Sequence, residues 1–205
     1  ELMREILEKS KFKFNFIELN LNDFLQRIKV IKKNNTQIEN NMKSTMASII
    51  KSFEISKNSD DLVYFVEDDY IHSDDCISEM LSVYEKFSTI LEDEIFIVPV
   101  DYPYLYQKNQ SANLFIGQKY HWRSVRESLL TFLTSKKMIN KYYNDLIRMG
   151  EIEHEPYETI LHKIYDKEKC FSPIPSLALH CTNVNSIFGL SPTIDFKKLW
   201  EESKL

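Results

Sequence analysis

In the first third of the chain, apolar side chains recur with two different periods, one typical of helices and one typical of strands. An amphipathic stretch over residues 1–10 predicts a short helix, and the run over 12–19 alternates apolar and polar side chains, which predicts a strand. Helical spacing returns over residues 21–33 and again over 41–57, on either side of a polar loop. We therefore expect a helix, a strand and two further helices in this order.

The segment from Leu62 to Val66 is an unbroken apolar run of strand length. Such a run is typical of a strand that is buried on both faces, as in a parallel sheet. Residues 74–91 then have the spacing of an amphipathic helix, and residues 95–100 form a second apolar strand. This alternation predicts an α/β fold in which helices flank a mostly parallel central sheet.

The second half of the chain is less regular than the first. We expect strands near 113–122 and 127–134, helices over 135–149 and 156–168, a proline-marked strand over 171–180 and a last helix near 195–203. Neither repeats nor low-complexity tracts occur in the sequence. The pattern predicts a single domain over residues 1–205, with a regular half over 1–100 and a less regular half over 101–205.

Composition and charge exclude several classes of protein. The chain has 31 acidic and 26 basic side chains and a formal net charge of −5, which disfavours nucleic-acid binding. No apolar run approaches the roughly 18 residues of a transmembrane segment. The three cysteines, Cys76, Cys170 and Cys181, have no C-x-x-C spacing and leave an odd thiol. This usage favours a reducing compartment, so we expect a cytoplasmic protein.

Glycine is scarce, with only Gly117, Gly150 and Gly189 among 205 residues. Both common phosphate-binding loops need clustered glycines, because only glycine lets the backbone approach a phosphate closely. These loops are therefore excluded. A phosphate-bearing ligand would have to be held by side chains and ions.

Three consecutive carboxylates, Glu67, Asp68 and Asp69, directly follow the apolar run at 62–66. Open α/β sheets bind their ligands at the carboxyl ends of strands. Adjacent carboxylates repel one another unless a cation compensates them, and their hard oxygens suit Mn²⁺ or Mg²⁺. The alternative is a solvated acidic turn that precedes the next helix.

The strand, the acidic turn and the helices around them resemble the D-x-D region of glycosyltransferases of the A-type (GT-A) fold, in particular those of family 2. The resemblance implies that Asp69 binds a divalent metal that bridges the diphosphate of a nucleotide sugar. It also implies that Asp68 contacts the ribose and that Glu67 lies beside one of them. The segment around His180 resembles the one that supplies a late histidine to this metal or diphosphate, although a lone histidine on an apolar strand is also common in protein cores.

The same resemblance implies a general base near the start of the helix expected at 156. In inverting members a carboxylate there takes the proton of the acceptor hydroxyl. Glu155 is the first candidate, with Glu153 or Glu158 as substitutes, and helix initiation is the simpler explanation of these acids. Asp101, which follows the strand at 95–100, is a competing candidate that could instead hold donor or acceptor hydroxyls.

Trp122 and Arg123 lie between these segments and are candidate substrate-binding residues. An aromatic ring offers a flat apolar face to a sugar, and arginine pairs with phosphate oxygens through two parallel hydrogen bonds. Equally, Trp122 could cover the edge of the sheet while Arg123 is solvated.

The resemblance as a whole predicts a metal-dependent glycosyltransferase that moves a sugar from a nucleotide-diphosphate donor to a glycan or other hydroxyl acceptor, with inversion. Residues 1–100 would then be the nucleotide-binding half and 101–205 the acceptor-side half. The family usually begins with a strand that contacts the base, and no such strand precedes residue 12, so the chain could be part of a larger polypeptide. Two alternatives remain: a metal-dependent phosphohydrolase or nucleotidyltransferase, and a non-catalytic glycan-binding domain of the same fold.

Overall fold

The computed structural model describes residues 13–29, 36–107, 109–152, 158–182 and 195–202. Its helices are α1 (Thr36–Ser56), α2 (Cys76–Leu91), α3 (Lys136–Glu151), α4 (Thr159–Tyr165) and α5 (Phe196–Glu202). Its strands are β1 (Leu62–Phe65), β2 (Tyr70–His72), β3 (Ile95–Ile97), β4 (Leu114–Ile116), β5 (His121–Val125), β6 (Phe132–Ser135), β7 (Lys169–Ile174) and β8 (Ala178–His180). Short 3-10 helices cover Leu21–Asp23 and Pro103–Tyr106.

Six strands form one mixed sheet in the order β1-β6-β3-β7-β5-β4, and β2 and β8 form a second, two-stranded sheet. Only β3 and β7 are parallel, while every other pair in both sheets is antiparallel. The α/β class is confirmed, but the prediction of a mostly parallel sheet is wrong. An apolar run indicates that both faces of a strand are covered, and it carries no information on the direction of the neighbouring strands.

Helices pack on both faces of the six-stranded sheet and create two hydrophobic clusters. In β3, Phe96 faces the cluster shared with α1, α3 and α4, whereas Ile95 and Ile97 face the cluster shared with α2. All three side chains are fully buried. Since successive strand residues point to opposite faces, this short strand contributes to both halves of the core.

Helix α3 has a defined start and a close packing contact near its end. Ser135 precedes the helix in an extended conformation and accepts a hydrogen bond from the Met138 amide at 3.2 Å. Near the other end, a Cβ on Gly150 would lie 2.5 Å from Cγ1 of Ile50 and 2.6 Å from the Met46 carbonyl oxygen. Helices α1 and α3 can approach this closely only because residue 150 has no side chain.

The beginning of the chain departs from the prediction. Residues 13–19, where a strand was expected, belong to no strand and are exposed, and residues 21–29 contain a 3-10 helix and turns instead of an α-helix. No described strand lies beside 13–19, so this segment gains none of the ladder hydrogen bonds that stabilise a strand. The helix expected over 1–10 lies outside the described residues.

Candidate active site

The acidic turn after β1 meets the end of β8. Strands β2 and β8 pair Tyr70 with His180, and the Cys181 amide donates to the Asp69 carbonyl at 2.7 Å. This ladder places Asp69 Oδ2 at 2.9 Å from His180 Nε2. The two residues that the family resemblance implied as metal ligands are 111 positions apart and contact each other directly.

A carboxylate oxygen and an imidazole nitrogen form a donor set that suits Mn²⁺. Two neighbouring ligands of an octahedral ion, each at about 2.1 Å, are separated by roughly 3 Å, which agrees with the Asp69–His180 distance. Within the part of the chain that the structure describes, no group of three or more His, Cys, Asp or Glu side chains could hold a metal ion.

Glu67 is a partly buried carboxylate of the turn. Its amide donates to Thr131 Oγ1 at 3.1 Å, and its Oε2 atom is buried without a hydrogen-bond partner among the described residues. Burial raises the pKa of Glu67 to about 7, and the neighbouring charges of Asp69 and Glu158 add to the effect. A cation or a hydrogen-bond donor near Glu67 would remove this penalty.

Two tyrosines hold the His180 ring in place. The ring of Tyr70 stacks on the His180 imidazole with a centroid distance of 5.0 Å, and the Tyr70 hydroxyl lies 2.6 Å from the Tyr102 hydroxyl. Tyr102 is fully buried, so this hydrogen-bonded pair fixes the orientation of the Tyr70 ring. No pattern in the sequence indicated this support, because β2 is only three residues long and its partner β8 is more than 100 positions away.

A groove of about 840 Å³ runs between α1 and β1 and ends at the acidic turn. It is lined by hydroxyl-bearing and apolar side chains of α1, by Val63–Asp69, and by Leu130 and Phe132. In the described residues β1 pairs with β6 alone, so β1 is an edge strand of the sheet. The volume lies within the usual range for small-molecule sites, and Asp68 is exposed at its acidic end.

Asp101 and Arg123 form a second polar centre beyond the end of β3. Arg123 Nη2 lies 2.6 Å from Asp101 Oδ1, with side chains that are only 12% and 3% exposed. The Tyr106 hydroxyl donates to Asp101 Oδ2, and its ring lies over the Arg123 guanidinium at 4.2 Å. Burial raises the pKa of Asp101, while Tyr106 and Arg123 act in the opposite direction.

Trp122 has a different role from the one expected. The side chain is fully buried in the cluster between α2 and the sheet, and its Nε1 donates to Glu79 Oε1 at 3.2 Å. A buried ring cannot stack on a sugar, so the structure does not support Trp122 as a substrate-binding residue. The burial of Trp122 was not evident from the sequence, because its neighbours are polar. Alternate residues of β5 point to opposite faces of the sheet, so a buried residue can lie between polar ones.

Of the three candidate bases, Glu158 lies within the described residues. Glu153 and Glu155 lie outside the described residues, whereas Glu158 is partly buried immediately before α4. Burial raises the pKa of Glu158, and the nearby His162 and His180 partly oppose this shift. Glu158 therefore belongs to the same electrostatic environment as Glu67 and the Asp69–His180 pair.

Comparison with known proteins adds no family to these observations. The chain matches no protein-family model, and a search of curated proteins finds no significant relative. No helix in the described parts of the chain is both long enough and apolar enough to span a membrane.

Proposed function

We propose that this protein is a metal-dependent glycosyltransferase that uses a nucleotide-diphosphate sugar and a hydroxyl acceptor. The observation that carries the proposal is the 2.9 Å contact between Asp69 and His180 at the acidic turn after β1. A carboxylate-rich turn alone is common on protein surfaces. Its contact with a buried imidazole from a distant strand, beside an open groove, favours a ligand site.

In this proposal the groove between α1 and β1 receives the nucleoside, and Asp68 contacts its ribose. Asp69 and His180 would hold Mn²⁺ or Mg²⁺ against the diphosphate. When bound, the metal supplies positive charge that offsets the charge of the leaving diphosphate. Tyr70 keeps the His180 ring in place through stacking, and Tyr102 in turn fixes Tyr70.

A carboxylate near the start of α4 takes the proton of the acceptor hydroxyl. Glu155 and Glu153 are the candidates inferred from the sequence, and Glu158 is the one whose surroundings are described. Its raised pKa brings its basicity nearer to neutral pH, which improves a general base. Attack from the side opposite the leaving group would invert the anomeric configuration, and NMR of the first product would reveal retention if this assignment is wrong.

Donor binding can be tested by thermal shift with a panel of nucleotide-diphosphate sugars, each with and without Mn²⁺. Binding to the native state raises the apparent melting temperature by mass action. We expect a Mn²⁺-dependent shift with at least one donor, and its loss in Asp69→Asn and His180→Ala. Asp74→Asn is the matched control, since Asp74 is an exposed carboxylate just beyond β2. If no donor produces a metal-dependent shift, the proposal fails.

The reaction is tested by identifying the products. For a transferase, the rate of nucleoside diphosphate release equals the rate at which the sugar is transferred to an acceptor or to water. A phosphohydrolase would cleave within the diphosphate and release a nucleoside monophosphate and a sugar phosphate, whereas a nucleotidyltransferase supplied with a nucleoside triphosphate and a sugar phosphate would release pyrophosphate. Either of these products, at a rate that Asp69→Asn abolishes, would assign the same carboxylates to the alternative chemistry.

A further inference from the structure

The cluster of Asp101, Arg123 and Tyr106 has features that a purely structural ion pair does not need. The Asp101 and Arg123 side chains are almost fully buried, yet the residue that covers them, Tyr106, is 55% exposed. Arg123 Nε is buried without a hydrogen-bond partner in the described residues. An unused donor inside a buried ion pair costs stability unless something else binds to it.

We propose that this cluster is a binding subsite for a neutral pyranose, with Tyr106 as a displaceable cover. Asp101 and Arg123 carry opposite charges, so the pair favours an uncharged ligand over a phosphate or an amine. The carboxylate can accept a hydrogen bond from one sugar hydroxyl, while the guanidinium beside it donates to the neighbouring hydroxyl. The half-exposed ring of Tyr106 provides an apolar face beside them.

Displacing the Tyr106 hydroxyl costs little in hydrogen bonding. The phenol O–H that donates to Asp101 Oδ2 would be exchanged for a sugar O–H that donates to the same atom. Tyr106 lies at the last position of a four-residue 3-10 helix, and its side chain already faces solvent on one side. The change therefore needs rotation of one side chain and leaves the sheet intact.

The subsite is connected to the proposed metal site through the neighbouring tyrosine. Tyr102 follows Asp101 directly, and its hydroxyl lies 2.6 Å from that of Tyr70, which follows Asp69. The assignment of the bound pyranose as the acceptor rests on the proposed function. The existence of the subsite does not, because free sugar can bind there without nucleotide or metal.

The probes are the methyl glycosides of glucose, galactose, mannose and N-acetylglucosamine, tested by saturation-transfer NMR and by titration in metal-free buffer. Tyr106→Phe removes the competing hydroxyl and keeps the ring, so we expect at least one glycoside to bind about tenfold more tightly than to the wild type. Asp101→Asn should abolish this binding. Tyr120→Phe is the matched control, because Tyr120 likewise donates to an aspartate, Asp75, at 2.8 Å.

Three results would overturn the subsite. The first is that none of the four glycosides binds to the wild type or to Tyr106→Phe. This result can be interpreted even if Asp101→Asn does not fold. The second is that Tyr106→Phe changes the affinity no more than Tyr120→Phe does. The third is that a glycoside binds only when nucleoside diphosphate and Mn²⁺ are present, which would assign the sugar contact to the donor site. A missing metal-dependent donor shift would reject the transferase but leave these measurements unaffected.

Discussion

Replacing Glu79 by alanine should weaken the fold more than replacing any exposed acid of α2. Glu79 is 1% exposed, and its carboxylate accepts hydrogen bonds from the backbone amides of the turn at 118–120 at 3.0 to 3.4 Å. It also accepts the indole N–H of Trp122 at 3.2 Å. One buried carboxylate thus holds the turn between β4 and β5 against α2.

The size of the effect follows from these contacts. Trp122 is fully buried, so its N–H would lose its partner without access to water, at a cost of about 1–3 kcal/mol. The turn at 118–120 is nearer the surface, so water can replace part of what its amides lose, and we assign about 1–2 kcal/mol to them. The expected loss for Glu79→Ala is therefore about 2–5 kcal/mol, and the middle of this range corresponds to roughly 10 °C in melting temperature for a domain of this size.

Urea unfolding followed by tryptophan fluorescence and circular dichroism measures this loss. Glu79→Gln keeps one acceptor oxygen but places an NH₂ group against the Lys119 amide, so its loss should be intermediate. Glu85→Ala is the control, since Glu85 lies on the exposed side of the same helix. If Glu79→Ala loses less than about 1 kcal/mol, as expected for a surface substitution, the carboxylate does not anchor the turn.

Three further substitutions test packing and titration. Gly150→Ala should lower the free energy of unfolding in urea by about 2 kcal/mol despite the higher helix propensity of alanine, because its Cβ would overlap Ile50. A gain in stability would contradict the close packing of α1 and α3. Since burial raises the pKa of Glu67 from 4.5 to about 7, folding takes up a proton in this window, and stability falls as the pH rises through it. Glu67→Gln should remove this dependence, worth up to about 3 kcal/mol, and equal pH profiles of unfolding would refute the assignment. Burial lowers the pKa of His72, whose ring lies 2.6 Å from the Tyr64 hydroxyl, so its contribution to folding stability is present above pH 6.5 and lost as the pH falls. His72→Gln should therefore lose less stability in acid than the wild type. A larger loss would be inconsistent with a buried neutral ring.

The sequence was sufficient to locate the elements with strong periodic patterns. The apolar run at 62–66 and the helical spacing at 74–91 correspond to β1 and α2 within two residues at each end, because burial imposes these patterns directly. The acidic turn could also be located, since it follows β1 without interruption. Its association with His180 was predicted only through the family resemblance.

Other features depend on contacts that no local pattern encodes. Strand β6 lies between β1 and β3 and runs antiparallel to both, whereas a parallel neighbour was expected. An apolar strand has the same sequence pattern in either orientation. Tyr106 could be identified as a partner of Asp101 only after the 3-10 helix had brought the two together. Glu79 did carry a signal, because it interrupts the buried face of α2 between Cys76 and Met80 with a charged side chain.

The insertion of β6 between β1 and β3 also determines when the candidate site can form during synthesis. Phe65 pairs with Phe132, which leaves the ribosome 67 residues later, or after about 3 to 13 s at ordinary elongation rates. Until then β1 is an apolar segment without a partner strand, and it is exposed to association with other nascent chains. His180 emerges later still, so the Asp69–His180 pair can form only after residue 180 has left the ribosome. A nascent chain stalled before residue 180 would lack one of the two proposed metal ligands, and metal affinity would distinguish it from a chain that includes His180.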